Sequence, residues 1–227
     1  MKFEHSWTGN WENAFRGLRH PMESYAKSDS YMNTYVEWGS DNSYKVDQSF
    51  TIGKNDLDLA QRMIKAGSPN DKFLRQIFVS VDITAPLFWW KEMDTYKVAT
   101  VANSTSTMHK LATTPITLDC FETDDFDREW LNNTGEEAIA DTWIEDIIFL
   151  LENFRLKYLK TKDIRYWKEL IRWLPESWLQ TRTWTANYSV LRNIIHWRKG
   201  HKLTEWKSFC NWVEDLPYTN ELILFEN

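Results

Sequence analysis

Between positions 95 and 107 the chain gathers six aliphatic hydroxyls, Thr95, Thr100, Ser104, Thr105, Ser106 and Thr107, around one cation, Lys97. Hydroxyls, backbone amides and an ammonium together form a donor set able to hold a phosphate. The bland reading is equally available: Ser and Thr suit a loop or a strand. Other reactive groups are sparse. Cys120 and Cys210 lie far apart, neither has a histidine close in sequence, and two cysteines do not make a secreted disulfide scaffold. Of five histidines, the nearest pair is His196 and His201, one step beyond the i, i+4 spacing that a helical metal pair prefers, so no metal site is expected. There is no Gly-x-Gly-x-x-Gly, no Walker loop and no Gly-x-Ser-x-Gly elbow. Seven glycines in the chain argue against a glycine-built phosphate cradle.

The elements that must position these groups read as a mixture. Trp11 to Leu18 predicts a short helix stopped before Pro21, and Tyr25 to Tyr44 reads as loop with one strand at most. Asn55 or Asp56 is placed to cap a helix reaching Ala66, which Gly67 and Pro69 end. Gln76 to Thr84 alternates with Ile77, Val79, Val81 and Ile83 on one side, the clearest strand in the chain; Ala85-Pro86 closes it. Leu87 to Asp94 predicts a short helix, whereas Thr95 to Met108 is unassigned by pattern. Residues 121–137 carry an acidic run expected on the surface. Helices are then predicted over Asp141–Lys160, Asp163–Trp173, Tyr188–Trp197 and Leu203–Val213. Several helices with a strand, and no regular βαβα alternation, make the fold class α+β.

With 227 residues and 42% hydrophobic content, the chain can build a substantial core. Its apolar runs fall far short of a membrane span, and Met1-Lys2-Phe3-Glu4-His5 has no leader-like apolar region, so the expected compartment is the cytoplasm. The net charge of −6 opposes general nucleic-acid binding. Fourteen tryptophans are read mainly as core and interface residues. A single-strand binder built on Trp stacking conflicts with the charge.

Two stretches resemble the flavin-dependent thymidylate synthase family. Ile83-Thr84-Ala85-Pro86-Leu87-Phe88, continuing to Leu111, is similar to the strand, Ala-Pro and helix that lead into the family motif Arg-His-Arg-x-x-Ser-x-Asn-Glu-x-Ser-x-Arg-Tyr. Leu174-Pro175, Trp184-Thr185-Ala186-Asn187, Leu191-Arg192-Asn193 and Arg198 follow a second family stretch without a gap. Leu59 to Lys72 also resembles the family's helix-Gly-loop. The resemblance spans about residues 55–200, so residues 1–54 are expected to be an N-terminal extension and 55–227 a synthase-like domain, joined in one compact unit.

The resemblance implies helices packed on an antiparallel sheet, a homotetramer, and sites shared between subunits for FAD and dUMP. NADPH and methylenetetrahydrofolate would be co-substrates. By register, Thr95, Tyr96, Lys97, Asn187 and Asn193 would line the cofactor side, and Glu92, Thr105, Ser106 and Arg198 the nucleotide side. No catalytic nucleophile is expected, because the protein's part is positioning and electrostatics. The central motif is heavily rewritten: Arg-His-Arg reads Thr95-Tyr96-Lys97, Asn-Glu reads Ala102-Asn103, and Arg-Tyr reads Thr107-Met108. A charged hydrogen bond contributes about 1.5–3 kcal/mol, so anion binding at a working site requires other cations. Lys91, Lys110, Arg172, Arg182 and Arg192 are the candidates. A carboxylate at Glu92 is unfavourable beside a phosphate unless it pairs with Lys91 or Lys97, or marks a different substrate. Two functions follow: a synthase-like enzyme making dTMP from dUMP or performing a related pyrimidine nucleotide reaction, and a non-catalytic homologue that binds a nucleotide or a protein partner.

Overall fold

A computed structural model describes residues 1–38, 40, 43–124 and 142–226. The acidic run expected over 121–137 lies outside the described residues from 125 onward. The elements in order are β1 (Lys2–Gly9), α1 (Trp11–Arg19), β2 (Tyr31–Trp38), β3 (Tyr44–Thr51), α2 (Lys54–Ala66), β4 (Phe78–Pro86), α3 (Leu87–Met93) and β5 (Val101–Ser104). They continue with α4 (Thr107–Lys110), α5 (Thr142–Thr161), α6 (Ile164–Arg172), β6 (Leu179–Asn187), α7 (Tyr188–Arg198) and α8 (Thr204–Glu214).

Four strands form one sheet in the order β1-β4-β6-β5, and β2 pairs with β3 as a separate hairpin. β4 and β6 run antiparallel. Ser80 meets Thr185 (3.0 Å), Thr183 donates to Asp82 (2.5 Å) and Thr84 meets Thr181 (2.7 Å), each step along one strand matched by a step back along the other. The alternate positions Ile77, Val79, Val81 and Ile83 are fully enclosed, as their period of two requires. The fold is thus α+β with helices and an antiparallel sheet, as the pattern and the resemblance imply.

The chain divides into two compact units. One holds residues 1–2, 82–95 and 102–183, the other 3–81, 96–101 and 184–227. In the first, Leu111, Ile116, Phe121, Leu151 and Leu170 form a buried cluster. Beside them, Glu152 accepts from the Ile116 amide (3.0 Å) and from Arg155 Nε (2.7 Å). In the second, Trp11 meets Tyr188 edge-on at 5.2 Å and Tyr218 at 5.6 Å, while Phe15 packs on Phe73. Of the tryptophans, Trp89, Trp90 and Trp206 are among the largest fully enclosed side chains, whereas Trp7, Trp38, Trp173 and Trp197 face outward.

The N-terminal region differs from the sequence reading at two points. Residues 25–44 hold the single strand β2, as the reading allowed, but its pairing with β3, Tyr31 opposite Thr51 and Trp38 opposite Tyr44, was not foreseen. Both faces of this ribbon are largely exposed, so no clean apolar alternation marked it in the sequence. Nor is α2 capped by Asn55 or Asp56. Its N-cap is Gly53, and the Asn55 and Asp56 amides donate to the carboxylate of Asp29 (2.9 and 3.1 Å). A Cβ at Gly53 would stand 2.2 Å from Asp29 Cγ and 2.4 Å from its carbonyl oxygen, so only glycine admits this approach.

Asp56 is instead wholly buried. Its Oδ1 accepts from Arg19 Nε (2.7 Å), and its Oδ2 from the hydroxyls of Ser28 (2.7 Å) and Ser30 (2.6 Å) and from the Ser30 amide (3.1 Å). Burial alone would raise its pKa, but the bonds from Ser30, Ser28 and Arg19 outweigh it and hold the carboxyl below its ordinary value. A depressed carboxylate stabilises the fold above the unfolded pKa, about 3.9, and that contribution fades as pH falls through the folded value. Asp56→Ala, which leaves Arg19 buried without its partner, is expected to cost about 3–5 kcal/mol. It would lower the urea midpoint at pH 7, and the wild-type chain would lose more stability than the variant between pH 5 and 3.

Candidate functional site

In the first unit, α3 begins where the amides of Leu87 and Phe88 donate to the carbonyls of Trp178 and Glu176 (both 3.1 Å). Glu92, near its end, is half-buried, and Lys91 pairs with Glu176 at 2.5 Å. Lys91 is therefore engaged with a carboxylate other than Glu92. Thr95 closes the turn after the helix, its amide (3.1 Å) and its hydroxyl (2.7 Å) both donating to the Glu92 carbonyl. Thr105 is exposed but its backbone is pinned: its amide donates to Thr181 (2.8 Å), and its carbonyl accepts from Gln180 Nε2 (2.9 Å). Gln180 also receives Arg182 Nε on its side chain (2.9 Å), and its carbonyl accepts from Trp90 Nε1 (2.9 Å). The Arg182 guanidinium then lies 4.2 Å from the Trp90 ring centroid and binds Asp94 at 2.8 Å. The Ser106 carbonyl accepts the Lys110 amide (3.0 Å), which starts α4.

In the second unit, Tyr96 and Arg198 come together. Arg198 Nε donates to the Tyr96 hydroxyl at 2.9 Å, and the guanidinium stands 4.4 Å from the Trp206 ring centroid and 5.5 Å from that of Tyr96. The planar cation is held against aromatic faces, where its charge meets their negative π-density. The loop before it is tight: Thr100 donates its hydroxyl to the Tyr96 carbonyl (2.6 Å), and Ala99 adopts a left-handed φ of 58°. Lys97 is exposed on this loop.

Asn187 is buried at the start of α7, where its Oδ1 accepts from the Val190 amide (3.1 Å) and caps the helix. Asn193 is exposed one and a half turns further and lines a cavity of about 440 Å³ with Asp71, Ser189, Arg192, His196 and Lys199. That volume falls inside the range of roughly 300–1,000 Å³ usual for small-molecule sites. Arg192 and His196 are four apart on one face of α7, and Lys199 follows as the residue that ends the helix; all three line the cavity. Arg192 Nη1 is fixed by the carbonyls of Ile223 and Phe225 (both 2.7 Å).

No family model matches the sequence, and no sequence among the curated proteins matches it. Solved structures do. Flavin-dependent thymidylate synthase ThyX from Helicobacter pylori, complexed with FAD and dUMP, superposes with a TM-score of 0.63 at 15% identity, covering 98% of each chain. A second structure of the same enzyme with FAD and dUMP gives 0.64 at 15% identity, over 98% of this chain and 97% of the other. The chain has the flavin-dependent thymidylate synthase fold.

On that fold the sequence-derived cofactor residues separate into groups. Tyr96 meets Arg198, Asn187 caps α7, Asn193 faces the α7 cavity, and Thr95 turns back on Glu92. The cations proposed to replace the lost arginines are mostly engaged: Lys91 with Glu176, Arg172 with Glu169, Arg182 with Asp94, and Arg192 with two carbonyls. The hydroxyls of Thr95 and Thr100 likewise donate to backbone carbonyls. Arg192 and His196 on α7 and Lys199 just after it line the cavity beside Asn193. Of the residues lining this cavity, sequence reasoning weighed His196 only as half of a metal pair and passed over Lys199 and Asp71; the i, i+4, i+7 spacing from Arg192 was the available signal for His196 and Lys199.

The Arg198 stack carries its own prediction. Lysine cannot reproduce the flat face on Trp206 together with the bond to Tyr96. Arg198→Lys is expected to cost about 1–2 kcal/mol of stability, measured by urea unfolding. An unchanged midpoint would show that the stack contributes nothing.

Proposed function

We propose that this chain binds a flavin nucleotide next to a pyrimidine nucleotide and acts as a flavin-dependent thymidylate synthase-like enzyme. The reaction would methylate dUMP to dTMP with methylenetetrahydrofolate and NADPH, or be a related pyrimidine nucleotide conversion. The observation that carries this reading is the α7 cavity, in which Asn193, a cofactor position by the family register, stands beside Arg192, His196 and Lys199. It is supported by the likeness, along nearly the whole chain, to a protein solved with FAD and dUMP. When bound, the flavin supplies the hydride. The residues of this chain supply position: Asn187 sets the start of α7, Asn193 presents an amide to the ligand, and Tyr96 holds the Arg198 plane. A homotetramer in the cytoplasm belongs to the same proposal. The exposed apolar side chains Phe149, Leu150 and Leu156 on α5 support subunit contact there.

A second reading, a non-catalytic homologue binding a nucleotide or a protein partner, is favoured by one specific observation. Lys91, Arg172, Arg182 and Arg192 are already held by partners within the chain, so fewer cations are left for a dinucleotide's phosphates.

The visible spectrum of the purified protein separates the two readings. Titrated FAD is expected to bind and its bands to sharpen or shift when dUMP is added. Asn193→Ala, at an exposed position, should weaken FAD binding about five- to tenfold, as the loss of one hydrogen bond requires. Arg198→Glu should abolish the dUMP-dependent change. No spectral perturbation at high FAD concentration would sink the synthase reading and leave the second.

A further inference from the structure

The α7 cavity has a wall that the family register does not assign. Asp71 lies on the one-turn-after-another 3-10 stretch Asn70–Gln76, and it lines the cavity. Its Oδ1 is buried and accepts no hydrogen bond among the described residues. A carboxylate oxygen removed from water without a donor is costly, and native chains keep very few such atoms. The lining is of mixed sign. Arg192 and His196 come from α7 and Lys199 from the residue after it, whereas the carboxylates come from Asp71 and, at the C-terminal end, Glu226. Arg192 Nε and Nη2 and the Lys199 ammonium make no ion pair or hydrogen bond among the described residues, and both residues line the cavity. A simple anion would meet the cations and be repelled by the carboxylates. A ligand with an anion at one end and an N–H at the other satisfies both.

We infer that Asp71 is a specificity-determining residue that accepts a hydrogen bond from a nucleotide's heterocycle, through a ring N–H or an exocyclic amine, while the phosphate lies against the α7 cations. The inference rests on the reading of this cavity as a nucleotide site and names the residue that reads the base. Blocking the donor on the ligand and removing the acceptor on the protein must then have the same, non-additive effect.

Calorimetric titration of the full chain with two matched pairs tests this: AMP against N6,N6-dimethyl-AMP, and dUMP against N3-methyl-dUMP. The wild-type chain should prefer the unmethylated member of at least one pair by about ten- to a hundredfold. Asp71→Ala should reduce that preference to less than about threefold, and the near-isosteric Asp71→Asn should bind the parent nucleotide more weakly than wild type. The free Asp71→Asn protein should melt at or above the wild-type temperature, because the enclosed oxygen that lacks a donor then carries less charge. The inference is overturned by binding of neither parent nucleotide, by no preference in either pair, by a preference that survives in Asp71→Ala, or by a lower melting temperature for free Asp71→Asn, which would mark a structural carboxylate. FAD spectra recorded alongside keep the two failures apart. Flavin binding with no Asp71-dependent preference sinks only this inference. An Asp71-dependent preference without flavin binding sinks only the synthase reading.

Discussion

A single carboxylate organises the region that the family resemblance leaves uncovered. Asp56 collects a guanidinium, two hydroxyls and two backbone amides, those of Asp29 and Ser30. In doing so it ties α1, the chain around Ser28–Ser30 and the first turn of α2 to one point. Arg19 extends the web to the Lys27 carbonyl at 3.2 Å, and Ser30 Oγ also accepts the Gly53 amide at 3.0 Å. A buried charge of this kind survives only when nearly every lone pair is satisfied. The requirement therefore fixes Ser28–Ser30 against Asp56 and, through Ser30, against Gly53. The β2–β3 hairpin leaves from one side of this knot and returns to the other, and its base residue Phe50 packs against Trp11 and Phe15. From Phe3 onward the N-terminal segment belongs in this way to the same compact unit as α7 and α8.

Charge is used locally throughout the molecule. Glu152 and Arg155 satisfy each other next to Ile116, Asp163 caps α6 while holding Arg165, and Arg182 lies between Asp94 and the Trp90 ring. Arg198 is kept between aromatic rings by Tyr96 and Trp206. A chain that pairs its cations in this manner binds anions weakly except where donors remain, which brings attention to the face of α7. There the electrostatics are mixed rather than uniformly basic. Mixed lining selects ligands by the arrangement of their donors and acceptors instead of by charge alone.

Much of the architecture was legible along the chain. α1, α2, α5, α6, α7 and α8 fall where periodicity, caps and the breakers Gly67, Pro175 and Gly200 put them, within a residue or two. The alternation through Ile77, Val79, Val81 and Ile83 marked the buried face of β4. The strands that pattern did not reveal are β1, the hairpin pair, β5 and β6. Each has exposed or half-buried residues on both faces, or, in β6, the polar residues Gln180 and Arg182 on the side that also carries buried Trp184. Those polar groups lie inward only because Thr105, Asp94 and Trp90 meet them, and such partners are far away in sequence.

The sequence by itself determined the α+β class and most helix boundaries, because these depend on local periodicity and spacing. Tertiary structure alone decided which charges are free to act. Whether Arg182 meets a ligand or Asp94, whether Asp56 caps a helix or anchors a knot, and whether Asp71 has a donor are all set by residues tens of positions distant. The energy of a charge depends on what surrounds it in space, and that surrounding is not written in the neighbouring letters.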